Sequence, residues 1–212
     1  MQASSLDLSL DYCELSFPVY GQKLPADHGY GLYSALVQKQ QTLREQPWLQ
    51  IQTTSGIPNH QGIISLRKNS VLRLRLPIDK LPFVLPLSGQ EITIGLHTIS
   101  LGIPRINPLQ ATDHVKARIV TIKNHEEPES FLEAAHRQLQ DIGIQANIGI
   151  PIDAEGKHDR KTIKVQRYSV IGFGLHIWGL NERDSILLQK VGLGGKRRMG
   201  CGVFTPVSQR RF

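Results

Sequence analysis

The segment GLGGKRRMGCGVF, residues 192–204, sets three adjacent cations, Lys196, Arg197 and Arg198, among glycines at 192, 194, 195, 200 and 202. Glycine lets a backbone take positive φ and approach another polymer closely, because no Cβ stands between them. Exposed backbone N–H groups and arginine forks both match phosphate oxygens, so the loop reads as a contact for a phosphate backbone. It is not a Walker loop, in which the lysine is followed by Ser or Thr and a helix opens after a strand. Here Arg197 follows Lys196, a helical pattern precedes the loop, and the apolar Val203, Phe204 and Val207 follow it. The same residues would also serve as a glycine helix cap leading into a solvated basic turn.

Histidine is the side chain suited to proton transfer near neutral pH, and the chain has eight. No two stand at i, i+4 and no HExxH occurs, while Cys13 and Cys201 lie near opposite ends without a CxxC or a Cys/His cluster. Neither a metal site nor a cofactor is expected. The cysteines sit in apolar runs and read as buried thiols of a reducing compartment.

Charge points to an acidic partner. The formal net charge is +7 and the isoelectric point about 9.6. From Lys196 to Arg211 there are five bases, Lys196, Arg197, Arg198, Arg210 and Arg211, and no acid. Charge concentrated in this way favours a nucleic-acid footprint over an evenly solvated surface. A second basic group, Lys157, Arg160, Lys161 and Lys164, is equally suited to guarding a strand edge. The opening MQASSLDLSLDY carries Asp7 and Asp11 where a signal peptide needs an apolar stretch, and no apolar run is long enough for a membrane span. A soluble, cytoplasmic protein with no membrane partner is expected.

The elements that must position these residues fall into a repeated order. Leu6, Leu8, Leu10 and Tyr12 alternate with polar residues, and Leu15 and Phe17 follow, as in a half-buried strand ended by Pro18 and Gly21. LPADHGYGLYSAL then has Asp27 as N-cap and Leu32, Ala35, Leu36 and Leu43 on a helical stripe. Residues 63–66 and 71–76 predict paired strands about the turn at Arg67–Asn69, with Leu72, Leu74 and Leu76 on one face and Arg73 and Arg75 on the other. A short Pro-broken helix over 78–87 and strands at 92–94 and 98–101 complete the first half. Residues 102–109, with Pro104 and Pro108, read as a linker. The second half repeats the order: strand 115–122, helix 128–142, strands 162–168 and 170–178, helix 181–191, the glycine loop and strand 202–207, with residues 144–160 as an exposed excursion. Two βαββαβ units in series predict an α+β protein of two tandem ferredoxin-like (RRM-like) domains, 1–104 and 113–212, the second carrying the glycine-rich basic loop. The aromatic RNA-stacking motif of RNA-recognition domains is missing, so backbone contact by basic loops is the expected mode.

LPADHGYGLYSAL, the LRLRLP strand and GLGGKRRMGCGVF together resemble the CRISPR-associated pre-crRNA endoribonucleases of the repeat-processing RAMP type, in their short Myxococcus-type form. The resemblance runs from about Leu6 to Val207. It implies metal-independent cleavage of CRISPR repeat RNA to mature crRNA, by 2′-hydroxyl attack that leaves 2′,3′-cyclic phosphate and 5′-hydroxyl ends. Such chemistry needs a base, an acid and positive charge at the phosphorane-like transition state. In this family the base is commonly a histidine in or near the first helix, which singles out His28. A helix start there would disfavour imidazolium and keep a neutral base. His60 is the second choice, and Tyr33, one helical turn from Tyr30, would position the phosphate. Packing or capping roles are open to all three. Gly194, Gly195, Lys196, Arg197 and Arg198, with Lys161 and Lys164, would bind the RNA. His97, His136 and His176 read as structural.

Two other classes compete with the endoribonuclease. Relatives of this fold also act as non-catalytic RNA-binding subunits of CRISPR effector complexes, in which case other subunits would be partners. A small-molecule module of ferredoxin-like fold would need no RNA, and the basic loop counts against it.

Overall fold

The computed structural model describes residues 11–59 and 61–207. The leucine alternation at 6–10, His60, Arg210 and Arg211 therefore lie outside the described residues.

The first half runs β1 (Tyr12–Tyr20), β2 (Lys23–Pro25), α1 (Gly29–Lys39), β3 (Gln50–Gln52), β4 (Ile57–Pro58), β5 (Ile63–Ser65), β6 (Val71–Pro77), α2 (Leu81–Val84), β7 (Glu91–Ile94), β8 (His97–Leu101) and β9 (Arg105–Pro108). The second runs β10 (His114–Val120), α3 (Pro128–Asp141), β11 (Asn147–Gly149), β12 (Arg160–Val165), β13 (Tyr168–Trp178), α4 (Glu182–Val191) and β14 (Phe204–Pro206). In the first sheet β3, β6 and β1 lie side by side, and β9 and β8 share the far side of β1. In the second the order is β11-β13-β10-β14, with β12 extending β13 as a hairpin arm. Counting the main strands of each unit in chain order, both sheets read 2-3-1-4 and are antiparallel. That is the ferredoxin-like arrangement twice, as expected.

Period-two burial builds each sheet. Cys13, Leu15, Phe17 and Val19 of β1 are buried against Leu72, Leu74 and Leu76 of β6, and Leu32, Ala35 and Leu36 of α1 close that core. Val115, Ala117, Phe173, Leu175 and Ile177 do the same in the second unit under Phe131 and Leu139 of α3. Each fully buried side chain of this size contributes about 1.5–3 kcal/mol, which makes these two clusters the frame for everything on the surface.

Four local expectations are corrected. Residues 63–66 and 71–76 do not pair with each other: β5 joins β2 and β4 in a small side sheet, while β6 lies between β1 and β3. Residues 102–109 are not simply a linker, since β9 pairs along Cys13–Ser16. Pro18 does not end β1, which continues to Tyr20. The excursion at 144–160 contains β11, the second unit's edge strand.

On the arginine face of β6, Arg73 stays partly exposed but Arg75 is covered. Arg75 is 2% exposed; its Nη2 donates to Glu14 Oε2 at 3.0 Å, and its Nη1 donates to the carbonyls of Gln189 (2.9 Å) and Phe204 (2.6 Å). The Gln50 amide likewise donates to the Lys190 carbonyl. These bonds tie the first sheet to α4 and β14, and so fix the glycine loop between them against the first unit.

Candidate functional site

Gly192 ends α4 at φ 65°, and the loop that follows is pinned by backbone bonds: Gly195 N–H to the Thr121 carbonyl (2.9 Å) and Gly202 N–H to the Ile119 carbonyl (2.8 Å). Gly194 N–H donates to Gln138 Oε1 at 2.8 Å. Gly202, at φ 65°, lies so close to Leu193 that a Cβ would be driven into the Leu193 carbonyl. The glycines thus hold a turn packed closely on the protein's own residues, and the three cations behave differently from one another. Lys196 is exposed at φ 60°. Arg197 is half-buried, its Nη1 donating to the Gly194 carbonyl at 3.0 Å. Arg198 places its guanidinium 5.5 Å from the centre of the Tyr33 ring, and its Nη1 is buried with no protein partner among the described residues.

The loop packs on the start of α1. Gly29 faces the Met199 carbonyl with no room for a side chain, so the first helical residue is glycine because the loop occupies that space. His28 stands at the N-cap position; Asp27, expected there, instead accepts the Lys164 backbone N–H at 2.6 Å. His28 is 3% exposed. Its Nδ1 is 2.7 Å from the Pro25 carbonyl, which fixes the proton on Nδ1, and its Nε2 accepts the Thr54 N–H at 3.1 Å. Burial pushes its pKa down, partly offset by the Pro25 carbonyl. The imidazole is therefore neutral, with the correct tautomer for a base at Nε2, but in this state the lone pair is occupied by Thr54. Tyr33 carries Arg198 on its ring and accepts the Glu45 N–H through its hydroxyl at 2.9 Å.

The other expected cations are spread along the β12 arm. Lys161 is paired with Asp159. Lys164 is exposed, and the Asp27 bond to its backbone brings the arm against the α1 entry.

A cleft of about 450 Å³ opens between the units, walled by Gln52 and Ser55 on one side and by Lys116, Arg118, Lys161 and His176 on the other, with Gly200 at the loop end. His176 Nδ1 lies 3.0 Å from His114 Nε2. No local spacing joins these histidines, which are separated by 62 positions. Only the β10–β13 register, which pairs Lys116 with His176 and His114 with Trp178, makes them neighbours. Among the described residues no group of three His, Cys, Asp or Glu side chains could hold a metal ion, and no helix is long and apolar enough to cross a membrane. Cys13 and Cys201 are buried free thiols, each pushed up to about 11 by burial.

The family model for Cas6, a CRISPR-associated family, matches residues 13–209. A "CRISPR-associated endonuclease Cas6" from Myxococcus xanthus is 33% identical over 195 residues, covering 92% of this chain and 81% of the relative. The chain belongs to the Cas6 family of CRISPR-associated endonucleases. Solved structures agree at the level of fold. A Cas6-related protein from Pyrococcus furiosus superposes with a TM-score of 0.62 at 14% identity, covering 94% of this chain and 100% of that one. The CRISPR endoribonuclease Cse3 bound to a 19-nucleotide RNA does so at 0.51 and 10% identity, covering 92% and 98%. The family match spans both units, so in this Cas6 chain the α1 start and the glycine loop belong to one matched body.

Proposed function

We propose that this Cas6 protein is an endoribonuclease that cleaves CRISPR repeat RNA by 2′-hydroxyl attack on the adjacent phosphate, without a metal. The observation that carries the reading is the junction of α1 with the glycine loop. There a neutral histidine with its basic nitrogen defined, an arginine with a buried unpartnered N–H, and an exposed Lys196 adjoin one turn. His28 Nε2 takes the 2′-hydroxyl proton, the 2′-oxygen bonds to phosphorus, and the P–O5′ bond breaks as the leaving oxygen takes a proton from water, giving a cyclic phosphate and a 5′-hydroxyl. Arg198 offsets the charge that builds on the phosphoryl oxygens, while the exposed Lys196 holds the RNA backbone. For His28 to act, RNA must displace the Thr54 N–H from Nε2; catalytic hydrogen bonds commonly form only in the substrate complex. His60 is the proposed substitute base. Lys161, Lys164, Gly194, Gly195 and Arg197 shape and charge the surface along which the repeat lies.

A labelled repeat RNA incubated with purified protein in EDTA should be cut, and a single 2′-deoxy substitution 5′ of the cut should stop turnover while binding persists. Cutting of the deoxy substrate, or a requirement for added metal, would sink the mechanism. The occupied nitrogens of His28 favour a second reading, an RNA-binding subunit that does not cut. Binding without cleavage of any repeat in the same assay would select it.

A further inference from the structure

The cleft histidines are not used by the chemistry above. We propose that the His114–His176 pair is a proton-accepting anion site: it takes up a proton from solvent when an RNA phosphate enters the cleft, so that RNA is held more tightly at mildly acid pH. This rests on the reading that the protein binds RNA, and adds a pH dependence to that binding.

The pair is built for one extra proton. The rings meet edge to face with centroids 5.0 Å apart, and the 3.0 Å between Nε2 of His114 and Nδ1 of His176 has room for a single shared hydrogen. Nε2 of His176 has no protein hydrogen-bond partner among the described residues, and its ring lines the cleft. With His176 donating through Nδ1–H to His114 Nε2, a proton added at His176 Nε2 makes an imidazolium whose Nε2–H is free to donate to a phosphate oxygen.

The charges facing His176 decide when that happens. From β10 come His114, Lys116 and Arg118; from the β12 arm comes Lys161, paired with Asp159; the first unit and β14 present the uncharged Gln52, Thr53, Ser55 and Thr205. Trp178 packs on the outer side of His114, ring centroids 6.3 Å apart. Burial first, then His114 and Lys116, push the His176 pKa below its usual value, while Asp159 pulls it up. A phosphodiester would offset the lysine and arginine charge and accept a hydrogen bond from the imidazolium. Its arrival therefore raises the pKa, and binding that raises a pKa is at full strength below the unbound value and weakens as pH climbs from that value through the bound one.

The test measures affinity for a non-cleavable 2′-deoxy repeat RNA at constant ionic strength between pH 5.5 and 7.5. Wild type should tighten on acidification, by at most about tenfold per pH unit for one proton taken up. His176→Gln should bind with an affinity that no longer changes over that range. In protein labelled at the histidine rings, the His176 resonance should titrate at higher pH with RNA than without, a readout that does not depend on the variant's folding. A wild-type affinity that is flat with pH, an unchanged slope in the variant, or a resonance indifferent to RNA overturns the proposal and leaves RNA binding standing. Failure of wild type to bind at any pH takes down both.

Discussion

His28 lies at the helix start on which the glycine loop packs, His176 lines the cleft that Gly200 of that loop borders, and they are held in opposite ways. His28 is 3% exposed, with a carbonyl on one ring nitrogen and a backbone N–H on the other. His176 is half-buried, with one nitrogen on a second histidine and the other free of protein partners among the described residues. Both have depressed pKa values, in each case chiefly through burial. The same direction of shift thus describes one side chain locked until something moves and another open to an anion at once. Availability of a lone pair, rather than pKa, separates the two roles.

The largest effect should come from the locked histidine. His28→Ala should lower the single-turnover cleavage rate roughly 10²–10⁴-fold, the usual range for losing a general acid or base, with RNA affinity retained. In wild type the rate should fall on the acid side with an apparent pKa below about 6.5, because burial opposes protonation of the base. A His28→Ala enzyme that cuts at the wild-type rate breaks the comparison, and the base must then be sought elsewhere, first at His60. His28 also makes folding pH-dependent. An unfolded histidine takes its proton near pH 6.5 while the buried one does not, so this contribution to stability is complete above about 6.5 and declines below it.

How much of this was legible follows from what each pattern encodes. LRLRLP announced a strand with one leucine face, and the structure buries Leu72, Leu74 and Leu76. It could not announce that Arg75 is buried as well, because two of the three groups that bind its guanidinium are carbonyls more than a hundred residues away. The dense glycines correctly marked a turn with several positive-φ positions. β9 was hidden by Pro104 and Pro108: proline reads as a breaker, yet it is tolerated near the end of an edge strand, where the missing N–H is not needed. The 63–76 segments look like a local hairpin, and only competition from β1 and β2 for the same edges decides otherwise. His28 was visible as the residue at a helix start. Its bond to Thr54, and the meeting of His114 with His176, are properties of long-range register that no local spacing carries.

Next in size is the joint between the units. Removing one partner of a buried charge pair generally costs about 3–5 kcal/mol, and Arg75 serves Glu14, Gln189 and Phe204 at once. Arg75→Ala should therefore lower the unfolding free energy by about that much in urea titrations. It should weaken RNA binding in the cleft as well, since the cleft walls come from both units. A variant of full stability would mean that the histidine sites are not held in register by this arginine. A smaller loss, about 1–3 kcal/mol, is expected for Gly202→Ala, where the positive φ and the Leu193 carbonyl both oppose a methyl group.

The smallest effect separates the loop cations, and it sharpens the contrast between locked and open groups. Lys196 is exposed, whereas Arg197 closes the loop onto Gly194 and Arg198 lies on Tyr33. A cation that meets a phosphate in place of a counterion contributes about 0.7–0.9 to the slope of log affinity against log salt. Lys196→Ala should remove about one such contact, lowering affinity for any RNA and flattening the slope by that amount, without changing the cleavage rate of bound substrate by more than a few-fold. Arg198→Ala should act differently, lowering the rate in bound complex more than the salt slope, because the proposed mechanism assigns its buried, unpartnered N–H to the charge that builds during the reaction rather than to the strand. Measuring slope and single-turnover rate for both variants with the same RNA decides between these roles. If Arg198→Ala flattens the slope as Lys196→Ala does and leaves the rate alone, Arg198 is a backbone contact, and charge stabilisation near His28 must come from another group.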